Sequence, residues 1–142
     1  MSLTLVRPDS GTRVLAHSPP LVCSWTRDRP ELAWVRLAGE LELSGAPLLA
    51  RTLRELRLQA RVMVVDLREL ELIDSFGVHA IVNAAIAARE VGHRLVLVRG
   101  RPSVDAKFTL AAQCAAVEIR GLRPAEPSVQ LLLQHAEEEM AH

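Results

Sequence analysis

Asp74 and Ser75 are the residues most suggestive of chemistry, set inside the otherwise apolar stretch "LIDSFGVHAIV", Leu72 to Val82. They stand between a strand-like run and a helix-like run. Strand-to-helix turns are where α/β folds present functional groups, because the first N–H groups of the helix are unpaired and carry partial positive charge. Either side chain would cap such a helix. A nucleophilic serine needs more, namely a G-x-S-x-G elbow, an oxyanion hole and a base, and Ile73 occupies the position where the elbow requires glycine. His79, one turn beyond Ser75, is placed to act as a base, or simply to cover the surface as a helical side chain. Phe76 is either an exposed anchor for a partner or a side chain folded back onto the core. The hydrolase reading is disfavoured by the missing elbow. Gly39, Gly45, Gly77, Gly92 and Gly100 never cluster, so no phosphate-cradling loop of the ATPase kind is present in the sequence.

The bulk properties narrow the classes further. With 142 residues the chain has the size of one domain able to bury its own core. Lys plus Arg number 17 and Asp plus Glu also 17, so no net field draws it to nucleic acid or an anionic membrane. Tyrosine is absent and aromatics make up 3%, which removes the stacking platforms of single-strand binders. The histidines at 17, 79, 93, 135 and 142 are never three to five apart, so no local helical metal pair forms, and neither metal nor cofactor is expected. Cys23 and Cys114 lie far apart in apolar surroundings, consistent with a reducing compartment, with Cys114 in the core. No run reaches the roughly 18 apolar residues of a membrane span and no leader is evident, so a cytoplasmic protein is expected.

The elements that must position Asp74 and Ser75 follow from periodicity. Residues 1–20 read as a flexible arm, with the domain over 21–142. Leu21 to Trp25 and "LAWVRLAG" read as two antiparallel strands, the second burying Ala33, Val35 and Leu37. A helix follows, with a cap at Ser44 or Gly45, Pro47 in its first turn and Leu49, Leu53 and Leu56 on one face. "RVMVVDL" lacks alternation and predicts a strand buried on both faces, with helices on both sides of the sheet. Val78, Ile81, Val82, Ala85 and Ile86 give the next helix its stripe, ended by Gly92. "RLVLV", a helix burying Val104, Phe108 and Ala111, the short strand "AAVEI", and a last helix from about Pro127 complete an α/β order of ββαβαβαβα with a mixed sheet, four helices and parallel later strands.

Three segments resemble a known family. "RLAGELELSGAPLL" is similar to the strand, Gly-Glu turn and Ala-Pro helix start of STAS domains, "VVDLRELELIDSFGVHAIV" to their strand, loop and Asp-Ser-Ser/Thr-Gly helix start, and "GHRLVLVRGRPSVDAKFTL" to the next strand and helix. The likeness spans residues 21–133 and is strongest to the anti-sigma factor antagonists of bacteria. It implies a STAS-like fold and a non-enzymatic interaction module that binds an anti-sigma factor and so releases a sigma factor. It also implies that Ser75 is the serine phosphorylated by that partner, itself a serine kinase that holds the ATP. A serine phosphatase would reverse the modification, and neither nucleic acid nor membrane is contacted directly. Glu42 matches a partner-facing acid that is usually Asp, Asp74 the acid beside the acceptor, and Gly77 the helix-start glycine. Phe76 replaces a second hydroxyl, and His79 replaces a small residue. The resemblance thus groups Glu42, Asp74, Phe76, Gly77 and His79 as partner-binding. The alternative it leaves open is a STAS-type sensor or scaffold that binds a small molecule, or a transport or signalling partner, without phosphorylation.

Overall fold

The structure, a computed structural model, describes residues 9–29, 31–115 and 117–120. Six strands form one sheet in the order β1-β2-β3-β4-β5-β6: β1 (Asp9–His17), β2 (Pro20–Arg29), β3 (Leu32–Leu41), β4 (Val62–Ile73), β5 (Arg94–Val98) and β6 (Glu118–Arg120). Between them run α1 (Ala46–Arg57), α2 (Ser75–Glu90) and α3 (Pro102–Ala115). β1, β2 and β3 pair antiparallel, and β3 through β6 pair parallel, as the mixed-sheet reading expects.

The described order, βββαβαβαβ with three helices, corrects the expected ββαβαβαβα at its N-terminal end. Residues 9–17 were expected within a loose arm and instead form the edge strand β1. Leu15 is the one buried residue among 10–17, and Val14 is more than half exposed. The strand is therefore held by its ladder to β2, not by an apolar pattern of its own, and pattern reading passes over such a strand. Residues 1–8 and the helix expected from about Pro127 lie outside the described residues, and so does the side chain of Cys114.

A second correction concerns the layers. Ala33, Val35 and Leu37 of β3 and Met63, Val65 and Leu67 of β4 share one core with apolar residues of all three helices. The alternate positions, Leu32, Val62, Val64, Val96 and Val98, form a separate cluster on the other face, joined by Trp34 and by no described helical residue. Among the described residues, then, the helices occupy one side. Each parallel strand is added next to its predecessor, and right-handed crossovers in one direction lay every helix on the same face.

The helix expectations hold locally. α1 starts at Gly45 without a side-chain cap, carries proline in its first turn, and buries Leu49, Leu53 and Leu56. α2 buries Val78, Ile81 and Val82. It stops at Gly92, whose φ of 76° lets its N–H reach the Arg89 carbonyl (3.0 Å) while the His93 N–H reaches that of Ala88 (2.8 Å). The Gly-Glu pair 39–40 is not a turn: it lies within β3, where the register to β4 slips between Gly39 and Glu40.

Candidate functional site

Because β3 and β4 are adjacent and parallel, their C-terminal ends lie side by side, the usual place for a site in an open α/β sheet. β4 pairs with β5 only over residues 62–66, then continues with β3 alone to Ile73. Beyond Gly39, where the pairing of β3 with β2 also ends, β3 and β4 alone run on, carrying the loop 42–45 at one tip and Asp74-Ser75 at the other. The loop after Leu41 and the start of α2, 33 positions apart in sequence from Glu42 to Ser75, thereby emerge at the same end of the sheet.

Asp74 laces the two tips together. Its N–H donates to the Leu41 carbonyl (3.0 Å), one carboxylate oxygen accepts from the Gly77 N–H (3.0 Å), and the other accepts from the Leu43 N–H (3.0 Å). Its backbone is extended, with φ −106° and ψ −179°, as an N-cap requires. Of the two candidate caps the acid does the capping. Ser75 is the first helical residue, exposed, with no hydrogen bond from its Oγ among the described residues.

The remaining expected residues separate into surface and support. Glu42 is half-buried, and its carbonyl accepts from the Gly45 and Ala46 N–H groups, shaping the entry into α1. Phe76 does not fold back onto the core: the residue is 53% exposed. His79 is exposed one turn along α2 and makes no hydrogen bond to Ser75 among the described residues. Gly77 is buried, and a Cβ there would lie 2.5 Å from Leu41 Cγ and 2.9 Å from Ile73 Cγ1. Its lack of a side chain lets α2 settle onto the strand ends, so it serves the site from beneath.

Sequence reading missed three apolar neighbours. Of seven exposed large hydrophobic residues among those described, four are at this end: Leu43 (56%), Leu48 (42%), Leu72 (41%) and Phe76. Alternation does not flag Leu72, since Glu71 and Leu72 are both exposed between buried Leu70 and buried Ile73. The surroundings are acidic. Residues 38–45 and 67–76 contain Glu40, Glu42, Glu69, Glu71 and Asp74 against one cation, Arg68. Arg68 is already engaged by Asp66, with contacts of 2.7 to 3.1 Å to both carboxylate oxygens.

No cluster of three or more metal-ligating side chains occurs among the described residues. Two cavities lie elsewhere. One, of about 260 Å³ between α1 and α2, is lined by Ala50, Arg54, Arg57, Ala80 and Asn83, and one of about 90 Å³ beside β5 and β6 is lined by His93, Arg94 and Glu118. Neither includes a residue of the Asp74-Ser75 turn.

Comparison with known proteins bears on the fold and the family. The family model described as "Mlab, STAS domain" matches residues 26–113. The anti-sigma factor antagonist SpoIIAA in its unphosphorylated form superposes with a TM-score of 0.68 at 14% identity, over 82% of this chain and 96% of that one. The Bacillus cell fate determinant SpoIIAA in its phosphorylated form gives 0.59 at 15% identity, over 72% and 92%. An anti-sigma factor antagonist from Mycobacterium paratuberculosis gives 0.59 at 16%, over 91% and 95%. No curated protein sequence matches the chain. At such identities the structural likeness speaks for the fold alone, and the family model covers 88 of the 142 residues, 26 through 113. On that match, the chain belongs to the STAS domain family.

Proposed function

We propose that this protein is an anti-sigma factor antagonist. Unphosphorylated, it binds an anti-sigma factor with serine kinase activity and so releases a sigma factor; phosphorylation of Ser75 by that partner ends the binding, and a serine phosphatase restores it. It does no chemistry of its own, and its setting is the cytoplasm. The observation that carries this reading is the division of labour at the turn. Asp74 takes over helix capping, which leaves the Ser75 hydroxyl exposed, unengaged among the described residues, and at the start of a 16-residue helix.

The location suits a switch. A phosphoryl group adds about −1.5 to −2 charge at neutral pH. The N-terminus of α2 tolerates that charge within the domain, so the cost falls on a partner packed against Glu42, Asp74, Phe76 and His79. An interfacial charge penalty of about 3 kcal/mol corresponds to roughly a hundredfold in affinity. SpoIIAA, which shares the fold, has been solved in both phosphorylated and unphosphorylated forms.

The test is direct phosphorylation. Each purified kinase-type anti-sigma factor encoded in the source genome is incubated with the protein and ATP, followed by intact-mass and peptide mapping. One phosphoryl group on Ser75, absent from Ser75→Ala, is the expected result. Modification elsewhere, or none with any kinase, would overturn the proposal and favour a sensor or scaffold role.

A further inference from the structure

Away from the Asp74-Ser75 turn, the junction of α1 with α2 is incompletely filled. α1 spends its large apolar residues, Leu49, Leu53 and Leu56, on the core. α2 meets it with small ones, Ala80, Ala84 and Ala87. Packed helices ordinarily fill such a junction with side chains. Here it holds a cavity of about 260 Å³, lined also by Arg54 and Arg57 of α1 and by Asn83 of α2. The charge of this cavity is one-sided. No carboxylate lines it, and α2 contains no acid from Ser75 to Arg89. Arg54 makes no ion pair or hydrogen bond among the described residues. Arg57 has one long contact there, 3.5 Å from Nη1 to the Ala87 carbonyl, which lays its guanidinium across from one helix to the other. Arg51, Arg54 and Arg57 follow one another at three-residue spacing, where like charges on a helix repel. The negative C-terminal end of α1 offsets that repulsion for Arg54 and Arg57, which stand in its last turn, but it supplies no partner for their side-chain N–H donors.

We infer that this cavity binds a small phosphate monoester, with its phosphoryl group held by Arg54 and Arg57 and its compact body against the alanines of α2. The charges decide the class of ligand. Two guanidinium groups match a dianion, and their planar forks present paired N–H donors in the geometry that phosphate oxygens accept. The cavity limits the rest of the molecule. Sites for drug-sized ligands span about 300–1,000 Å³, so a volume of about 260 Å³ admits only a short body beyond the phosphate. The methyl groups of Ala80, Ala84 and Ala87 give that body an apolar wall, and the Asn83 amide can both donate to and accept from a hydroxyl on it. The site is independent of the switch proposed at Ser75, which lines no part of this cavity.

The experiment titrates the intact protein with glycerol 3-phosphate, and with glycerol as its uncharged counterpart, by calorimetry and by backbone amide shifts in NMR. The proteins compared are wild type, Arg54→Gln, Arg57→Gln, Ala84→Leu and Arg51→Gln. All four positions are exposed or half-buried, glutamine keeps a helix propensity close to that of arginine, and circular dichroism verifies folding. Glycerol 3-phosphate is expected to bind wild type with a Kd of about 1 mM or tighter and to shift the amides of Asn83 and Ala84, while glycerol does neither. Arg54→Gln and Arg57→Gln are each expected to weaken binding roughly tenfold or more. Ala84→Leu, which fills the cavity without altering charge, should abolish it. Arg51→Gln removes an exposed charge from the same helix outside the cavity lining, and should leave binding nearly unchanged. Equal weakening by all three arginine variants would reduce the effect to diffuse attraction by a basic helix and overturn the site. Unchanged binding in folded Ala84→Leu, or no binding to wild type at about 1 mM, would overturn it too. A hexaglutamate peptide is titrated in parallel, and its binding in place of glycerol 3-phosphate would overturn the small-ligand assignment in favour of an acidic segment of a partner protein.

Discussion

Replacing Asp74 and Ser75 one at a time separates the residue that builds the turn from the residue the turn presents. Asp74→Ala removes the acceptor for the Gly77 N–H and the acceptor for the Leu43 N–H. Loss of an N-cap costs about 0.5–2 kcal/mol. The Leu43 bond is exposed, so water replaces it, and its loss adds about 0.5–1 kcal/mol. The sum, about 2 kcal/mol, corresponds to a fall in melting temperature of roughly 4–8 °C for a chain of this size. Ser75→Ala removes no bond among the described residues and places a better helix former in the first turn, so it is expected within about 0.5 kcal/mol of wild type. Asp74→Asn is the informative intermediate. Asparagine caps about as well as aspartate, so α2 is retained, but its amide nitrogen cannot accept from Leu43, and the loop 42–45 loosens. Urea unfolding gives the stabilities, and amide hydrogen exchange at Leu43 reads the loop. A Ser75→Ala penalty as large as that of Asp74→Ala would refute the assignment of the cap, and with it the argument that the serine is free to be modified.

Three further outcomes follow from packing and burial. Gly77→Ala puts a methyl 2.5 Å from Leu41 Cγ, and should cost about 1–3 kcal/mol in urea unfolding by forcing α2 away from the strand ends. Gly39→Ala should cost at least about 2 kcal/mol in the same assay, because φ is 104° and the new Cβ would lie 2.2 Å from the Pro20 carbonyl oxygen. Burial pushes the Cys23 thiol from 9.0 up to about 12, opposed by the nearby Arg13 charge. At pH 8 the folded protein should therefore leave the Cys23 peptide unalkylated by iodoacetamide. Its stability should be fully retained below pH 9 and fall between pH 9 and about pH 12, where the unfolded chain ionises this thiol and the folded one resists, as unfolding followed against pH would show.

What the sequence disclosed depended on whether a residue's neighbours in space were also its neighbours along the chain. Val78, Ile81 and Val82 form a helical stripe within one turn and a half, and Ala33, Val35 and Leu37 alternate within five residues, so α2 and β3 were readable from periodicity. β1 was not, because Ser10, Thr12 and Arg13 are exposed and the strand exists through cross-strand bonds to β2. The one-sided helix layer was misread because a strand buried on both faces does not state what covers each face. At the site, the Asp-Ser pair was legible as a strand-to-helix turn. Which of the two caps was not, since either side chain has the chemistry. The contact of Asp74 with Leu43, across 31 positions, follows from the parallel pairing of β3 and β4, and no local pattern encodes it.

That same pairing bears on how phosphorylation would act. If Ser75 carried its phosphate where the fold depended on the hydroxyl, modification would unfold the turn and release would be a by-product of damage. Here the fold depends on Asp74, and two opposing terms apply to the phosphate within the domain. Charge at the N-terminus of α2 gains about 0.3–1 kcal/mol, and proximity to Asp74 costs a comparable amount in exposed surroundings, where like charges about 5 Å apart repel by roughly 1 kcal/mol. The near cancellation predicts that protein phosphorylated enzymatically on Ser75 unfolds in urea within about 1 kcal/mol of the unmodified protein, while affinity for the partner falls by roughly a hundredfold. A stability change above about 2 kcal/mol would mean that the phosphate disrupts the cap. Release would then proceed through local rearrangement of the 42–45 loop instead of through the contact surface. Equal stability with lost binding is the result that assigns the switch to the interface, because a modification that leaves the fold's free energy unchanged can alter only what the exposed surface binds.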